Sequence, residues 1–405
     1  MSSPEYQQAL GRKIAAERRR RGLSQPELAR MIDRSVAWVS QVERGVRKVD
    51  RMSVLETLAA ALDVPLSELA AEAPVVVAVT KEPPGADGLR LVLSGAHALR
   101  AMLNGRRAPA VSTLHSKARK TWDLTHAGRY TDLTDLLGGL IPDLETAARA
   151  VAEDQRAEVF ELMAATYQTC SAALAKLGEP EAAWIAADRA MAAAERADNP
   201  MLVAAGAFRL VFVFISARHY DQAEETAGTA AEALRPLAEE DNPRAMSLWG
   251  GLTLQRAVIA ARVNDPDTAY GQLEQARQIA ERLGEGHNEY NTEFGPVNVR
   301  LYEIAVAVEL GDAGRALHAA GSVDTSGLSA ERQARMLIDV ARAHAQRRQV
   351  REAVDALRQA ETITPEQVRG HDLVRQLVSD LLTMQDPPAS ELRDLAGRLA
   401  TKKFA

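Results

Sequence analysis

The 405-residue chain has a single cysteine, Cys170, so no disulfide can form within it. A lone thiol in an apolar helical context reads as a small buried side chain rather than a reactive one. Aromatic residues make up only 4% of the sequence, and no stretch alternates apolar and polar residues as a half-buried strand would. The longest apolar stretches, Val75 to Val79 and Leu210 to Ala217, are far too short to span a bilayer, and the first residues lack the pattern of a secretory signal. These absences predict an all-α, cytoplasmic protein with no membrane partner. Chemistry is thinly represented as well. The 8 histidines are scattered, and there is no glycine-rich phosphate cradle, no nucleophile elbow and no Cys/His spacing suited to zinc. His287 with Glu289 and Glu293 is the one metal set that can be drawn, and its loop-forming neighbours fix no ligand face. The expectation is no enzyme, no cofactor and no metal.

What is present begins at the N-terminus. Ser24 followed by Glu27 is a capping box, Pro26 falls in the first turn where its missing N–H costs nothing, and Ser35 can cap a second helix. Leu28, Ala29, Ile32, Val39 and Val42 recur at helical spacing and predict one small core, with Ala29 letting two helices cross closely. Ala37, Gln41 and Arg44 then share the opposite face of the second helix. Charge is unevenly placed too. Between Arg12 and Arg51 there are 12 Lys and Arg against 5 Asp and Glu, a local +7, which leaves -13 on the rest of a chain whose formal net charge is -6. A basic head on an acidic body is expected of a protein that meets nucleic acid at one end only.

Leu23 to Gly45, with its Ser-Gln opening and closing Glu43-Arg44-Gly45, resembles the helix-turn-helix of Xre/Cro-type repressors. Tyr6 to Arg21 reads as the preceding helix, Ser53 to Glu56 as a second capping box, and Val64 to Leu69 as a last short helix. The resemblance implies a five-helix, lambda-repressor-like DNA-binding domain over residues 1–72 that acts on double-stranded DNA. It places Gln25 and Ser35 at phosphates, Val36, Ala37 and Gln41 over base edges, and Arg44 on the backbone, with Arg34, Trp38 and Ser40 in the same face. Gln41 can pair bidentately with adenine, and Val36 and Ala37 can sense thymine methyl groups. Arg18 to Arg21, Arg47, Lys48 and Arg51 are placed to neutralise phosphate. Two features depart from the family. The turn carries Asp33-Arg34 in place of glycine, Asp being among the few other residues that enter the left-handed region. Val36, Ala37 and Trp38 stand where polar base readers are common, and Trp38 fits either the sugar-phosphate wall or a seat between helices.

Residues 73–110 read as a linker, rich in proline and glycine around Lys81 to Gly88 and containing the Val75 to Val79 run. From Val111 to Met384 the pattern is almost continuously helical. Turn signals recur at Ala127-Gly128, Leu177-Gly178, Arg218-His219, Asn264-Asp265, Leu310-Gly311 and Arg347-Arg348. Most are followed by small residues at fixed offsets, Ala183, Ala223, Ala269, Ala316 and Ala353, and again at Ala190, Ala230, Ala276 and Ala360. This resembles tetratricopeptide repeats, best in the unit from Leu337 to Pro365. It implies that residues 111–405 form an α-solenoid of degenerate tetratricopeptide-like helix pairs, for sensing and dimerisation. An irregular helical array with no exact repeat is the other reading. In such folds the first helix of each pair faces the concave surface, which nominates Tyr167, Gln168, Arg209, Phe212, Gln255 and Arg256 as ligand contacts. A second concentration of polar and aromatic groups runs from Gly286 to Arg300 and includes Asn288, Tyr290, Asn291, Phe294 and Asn298. It resembles the Phe-Gly-Pro-x-Asn-Val segment of actinobacterial Xre-type regulators, and it also reads as a loop using Asn, Gly and Pro for turns. The whole plan is similar to Gram-positive receptors that join this reader to tetratricopeptide repeats and bind signalling peptides. That resemblance implies a regulator responding to a peptide or small-molecule signal as a homodimer. A DNA-tethered scaffold that binds a protein partner is the alternative.

Overall fold

The computed structural model describes residues 4–21, 23–47, 49, 52–62, 64, 69, 86–94, 109–385 and 388–400. All regular structure among them is helical, and the chain divides into two compact units, Met1–Lys81 and Glu82–Ala405.

The first unit contains α1 (Pro4–Arg20), α2 (Gln25–Met31), α3 (Val36–Glu43) and α4 (Met52–Leu62). The capping box forms at the start of α2: the Glu27 N–H donates to Ser24 Oγ at 3.3 Å and the Ser24 N–H donates to Glu27 Oε2 at 2.7 Å. The helix ends in a Schellman turn, with the Arg34 N–H on the Ala29 carbonyl (2.9 Å) and Asp33 in the left-handed region at φ 51°. The Asp33-Arg34 turn therefore works without glycine, as expected. Ser35 caps α3 by accepting from the Trp38 N–H at 3.1 Å. Leu28, Ala29, Ile32, Val39 and Val42 are buried together with Leu10, Ile14, Leu58 and Leu62. One expectation changes and another is only partly described. The helix α4 already begins at Met52, so Ser53 lies inside its first turn and is not the cap. Of the expected fifth helix only Val64 and the buried, helical Leu69 are described, so most of that reading, like the Val75 to Val79 run, lies outside the described residues.

The second unit starts inside the predicted linker. A helix, α5 (Ala86–Val92), sinks Ala86, Leu89 and Val92 into the core of this unit, and Gly88 abuts the Thr134 side chain. Burial of that apolar face is what makes the segment part of the body instead of a free tether. Then follow α6 (Val111–His126), α7 (Tyr130–Ala150), α8 (Glu153–Lys176), α9 (Pro180–Arg196), α10 (Pro200–Ser216) and α11 (Tyr220–Glu239). The array continues with α12 (Pro243–Arg262), α13 (Pro266–Leu283), a single 3-10 turn (Glu289–Asn291), α14 (Pro296–Glu309) and α15 (Ala313–Ala320). It ends with α16 (Ala330–Gln346), α17 (Val350–Ile363), α18 (Pro365–Gly370), α19 (Asp372–Met384) and α20 (Ser390–Ala400).

From α6 to α17 the helices pack as antiparallel hairpins, and the first helix of each hairpin also touches the first helix of the next. The nine alanines singled out by their offsets are all buried, which is what lets the paired helices approach closely. Each of the six turn signals lands on the connection within a hairpin, with Gly128, Gly178, Arg218, Asn264, Gly311 and Arg348 in the left-handed region. Hairpins begin at Val111, Glu153, Pro200, Pro243, Pro296 and Ala330, steps longer than the roughly thirty-four-residue tetratricopeptide period until the last one. The array also comes back on itself. α16 touches α6, the Thr131 N–H donates to Glu366 Oε2 at 2.9 Å, and Lys176 Nζ lies 3.1 Å from Glu331 Oε2.

Candidate functional site

In the first unit α3 is braced from behind and open in front. The brace is Glu43: Arg18 Nε and Nη2 donate to its two carboxylate oxygens at 2.6 and 3.0 Å, and Gln25 Nε2 donates at 2.8 Å. Burial pushes the Glu43 carboxyl up, but the hydrogen bonds from Arg18 and Gln25 and the Arg18 charge outweigh it and hold it below its usual range. One carboxylate thus ties together α1, α2 and α3, a role that its position in the motif did not reveal. Gly11 is a second unforeseen element. A Cβ there would lie 2.4 Å from the Val42 carbonyl oxygen, so α1 crosses directly over the backbone of α3.

The front of α3 carries the predicted readers. Arg34, Ser35, Val36, Ala37, Arg44 and Arg47 are exposed, and Trp38, Ser40 and Gln41 are half-buried. Trp38 packs on the edge of the core with the Arg34 guanidinium 5.9 Å from its ring centroid. The side chain of Arg44 folds back so that Nε donates to the Ser40 carbonyl at 3.2 Å. Two expected phosphate contacts are otherwise engaged. Arg18 is buried and also donates to the Leu23 carbonyl at 2.7 Å, and the Gln25 amide nitrogen is taken by Glu43. Buried charge demands a partner, and Glu43 is the nearest one. Arg21 donates to the Ala61 carbonyl and stays exposed, while Lys48 and Arg51 lie outside the described residues.

Of the predicted ligand contacts of the second unit, Asn288 is exposed and Phe212, Arg256, Tyr290 and Asn291 are half-buried. Tyr167, Arg209, Gln255, Phe294 and Asn298 are buried, and their polar groups are mostly spent on the protein itself. Tyr167 Oη donates to Glu145 Oε1 at 3.4 Å, Gln168 Nε2 to the Leu202 carbonyl at 3.3 Å, and Gln255 Nε2 to the Phe208 carbonyl at 2.9 Å. Burial raises the Tyr167 phenol well above its ordinary pKa. Phe212 stacks edge-on against Phe208, and Arg256 pairs with Glu224 at 2.6 Å. The two nominated regions nevertheless meet. Arg209 Nη2 donates to the Tyr290 and Asn291 carbonyls at 2.8 and 3.0 Å, and Phe294 presses its ring onto Gly250 of α12. Asn298 Oδ1 accepts from Arg332 Nη1 at 2.7 Å, and Asn288 Oδ1 accepts from the Glu293 N–H at 2.9 Å. Tyr290 is half-buried against the core. Residues 290–294 therefore pack against α10, α12 and α16, and the reason is chemical: buried arginines need oxygen acceptors, and this segment supplies them.

Around it lies an ionic cluster that sequence reasoning missed. Glu331 is 1% exposed and faces Lys176; Arg332 Nε reaches Glu293 Oε2 at 3.0 Å; His126 lies 3.8 Å from the same carboxylate oxygen. Burial lowers the His126 and Lys176 pKa values even against these carboxylates. Apart from Glu293, no signal marked these residues, because they come from helices far apart in the chain. His287 Nδ1 pairs with Glu289 at 3.0 Å while Glu293 turns to Arg332, and among the described residues no group of three or more His, Cys, Asp or Glu is placed to hold a metal. No described helix is long and apolar enough to cross a membrane.

Residues 9–71 match the family described as a helix-turn-helix domain, and the N-terminal unit is such a domain. No curated protein matches the chain. Among solved structures it is similar to Bacillus thuringiensis PlcR in complex with the peptide PapR7 and DNA, at 15% identity, covering 68% of this chain and 96% of that one with a TM-score of 0.28. A likeness that loose transfers no residue from one chain to the other.

Proposed function

We propose that the protein is a sequence-specific DNA-binding transcription regulator, acting in the cytoplasm, whose helical body receives a peptide or small-molecule signal and controls operator binding by a homodimer. The observation that carries the reading is the asymmetry of α3. Its rear is clamped by the Arg18–Glu43–Gln25 cluster, while Val36, Ala37, Gln41, Arg44 and Arg47 stand free or half-free on its front. A braced helix with Gln41 and arginines at its front can enter a major groove after giving up only short local contacts, those of Arg44 with Ser40 and of Arg34 with Asp33. In this reading Ser35 and Arg34 meet phosphates at the helix start, Trp38 and Ser40 flank the reading edge, Gln41 reads adenine, and Arg47 with Lys48 neutralises phosphate. Gln25 retains its carbonyl for a phosphate-bound water while its amide holds Glu43. One such reader makes few contacts, so two are needed, on half-sites about one helical turn apart. Ligand contacts that favour one arrangement of the body shift the population of dimers whose readers match that spacing.

The test is selection of bound sequences from random duplex DNA with the full-length protein, followed by titration of the selected site. Gln41→Ala costs about 1–3 kcal/mol at one position of the site, and Arg47→Ala weakens all sequences alike while lowering the salt slope by about one. Selection that yields no enriched sequence, or attachment indifferent to salt, overturns the proposal.

A further inference from the structure

Residues 284–295 connect α13 to α14 and are built unlike any other connection among the described residues. Tyr290, Asn291 and Glu293 all sit in the left-handed region, at φ 52°, 53° and 49°. Each such non-glycine residue is worth roughly 1 kcal/mol of local strain, so the conformation is imposed by contacts and is not intrinsic to the segment. Those contacts fall on the backbone. Three successive carbonyls are held by two arginines from two helices: Tyr290 and Asn291 by Arg209 of α10, and Thr292 by Arg332 of α16 at 3.0 Å. Glu289 accepts from Ser247 at 3.0 Å, and Phe294 anchors the far end where a side chain at residue 250 would come within 2.0 Å of its ring.

Arg209 is the informative partner. It is 6% exposed, sandwiched with its guanidinium carbon 4.6 Å from the Trp122 ring centroid and 4.8 Å from that of Phe208. Among the described residues no carboxylate forms an ion pair with it, and its Nε has no hydrogen-bond partner. Burial, with the like charge of Arg332, pushes its pKa down to about 9 against the pull of Glu293 and Glu331, while its direct contacts are with carbonyl oxygens and ring faces. A buried cation that binds consecutive backbone carbonyls is a receptor for a peptide chain, and here the chain it holds is its own.

We infer that residues 287–294 are an internal ligand: a strained segment of the chain that occupies the carbonyl-binding centre formed by Arg209 and Arg332 and latches α10 and α12 to α16. This deepens the reading of the body as a signal receiver, since any peptide that displaces the segment must offer the same row of carbonyls. A free carboxylate adds the negative charge that Arg209 lacks. Displacement frees Arg332 and Glu293 together and loosens the closure of α16 against α6. Side chains of the segment add to the carbonyls, Glu293 on Arg332 at 3.0 Å and Glu289 on Ser247 at 3.0 Å, so the order of its residues counts as well as its backbone.

The experiment uses the full-length chain with residues 287–293 replaced by a Gly/Ser stretch of equal length, and a fluorescent synthetic peptide of residues 285–294 added in trans. The replaced chain binds this peptide at least about tenfold more tightly than wild type, whose site is filled, and Arg209→Gln in the replaced chain removes the binding. A scrambled peptide binding equally well, or a folded replaced chain that binds no better than wild type, refutes the inference. If the replaced chain fails to fold, hydrogen exchange on wild type and on Arg209→Gln decides. A latch opens locally, so the Asn291, Thr292 and Glu293 amides exchange about tenfold faster than those of Leu252 to Ile259 and faster again in Arg209→Gln. Exchange of the segment only together with the flanking helices overturns it. DNA plays no part in either measurement, so their failure leaves the regulator reading standing.

Discussion

Glu331→Gln removes one charge and almost no volume from the place where the helical array closes. Burial by itself would raise the Glu331 carboxyl, but Lys176, Arg332 and Arg335 outweigh it and bring the pKa from 4.5 to about 2. That drop is worth about 3 kcal/mol of stability at neutral pH. Opening a buried ion pair from one side costs a similar ~3–5 kcal/mol, because the partner charge is left unmatched. At about 2 °C per kcal/mol for a unit of this size, the main calorimetric transition falls by about 6 °C. The sign with pH follows from the depressed pKa. The stabilisation is fully present above the unfolded value of 4.5 and is lost as pH falls through about 2. The gap between wild type and Glu331→Gln therefore shrinks to about half by pH 3, whatever other carboxylates do to both proteins. Scanning calorimetry of the two full-length chains at pH 7 and pH 3 measures it. A shift below about 1 °C at pH 7, or a gap that persists unchanged in acid, refutes the assignment of Glu331 as a keystone of the closure.

Other outcomes follow from single contacts. Gly11→Ala, which in an open helix stabilises by roughly 0.5–1 kcal/mol, here destabilises the first unit by about 1–3 kcal/mol, because the added carbon meets the Val42 carbonyl at 2.4 Å; a raised melting temperature would count against the close crossing. Ser24→Ala costs about 1 kcal/mol through the lost capping box, seen as a lower denaturant midpoint for the N-terminal unit at unchanged slope. Cys170, whose thiol burial pushes up to about 12, reacts with a thiol reagent only after denaturant is added. Rapid labelling of the native protein would contradict its burial.

The sequence was most legible where local chemistry repeats. The capping box at Ser24, the left-handed Asp33, the six turn signals and the nine spaced alanines all reflect constraints satisfied within a few residues or across one helix pair. The structure bears them out residue by residue. Pattern reading failed where a residue's partner is remote. Arg18 looked like a phosphate contact because its neighbours are basic, yet it is consumed by Glu43, twenty-five positions away. Residues 86–92 sit next to prolines and glycines and read as tether, but their apolar face finds α7 and α8.

The sequence by itself, through its caps, periodicity, charge and the resemblance of Leu23 to Gly45, determined an all-helical fold for the described residues with a basic N-terminal unit and an acidic remainder, since helix caps, turns and small-residue contacts are short-range and each leaves its own mark in the residues. Only the tertiary structure decided that residues 290–294 pack against α10, α12 and α16, and that Lys176, Arg209, Glu331 and Arg332 converge near them. Those side chains come from three separate helices, and the desolvation that gives them their character exists only once the helices have closed around them.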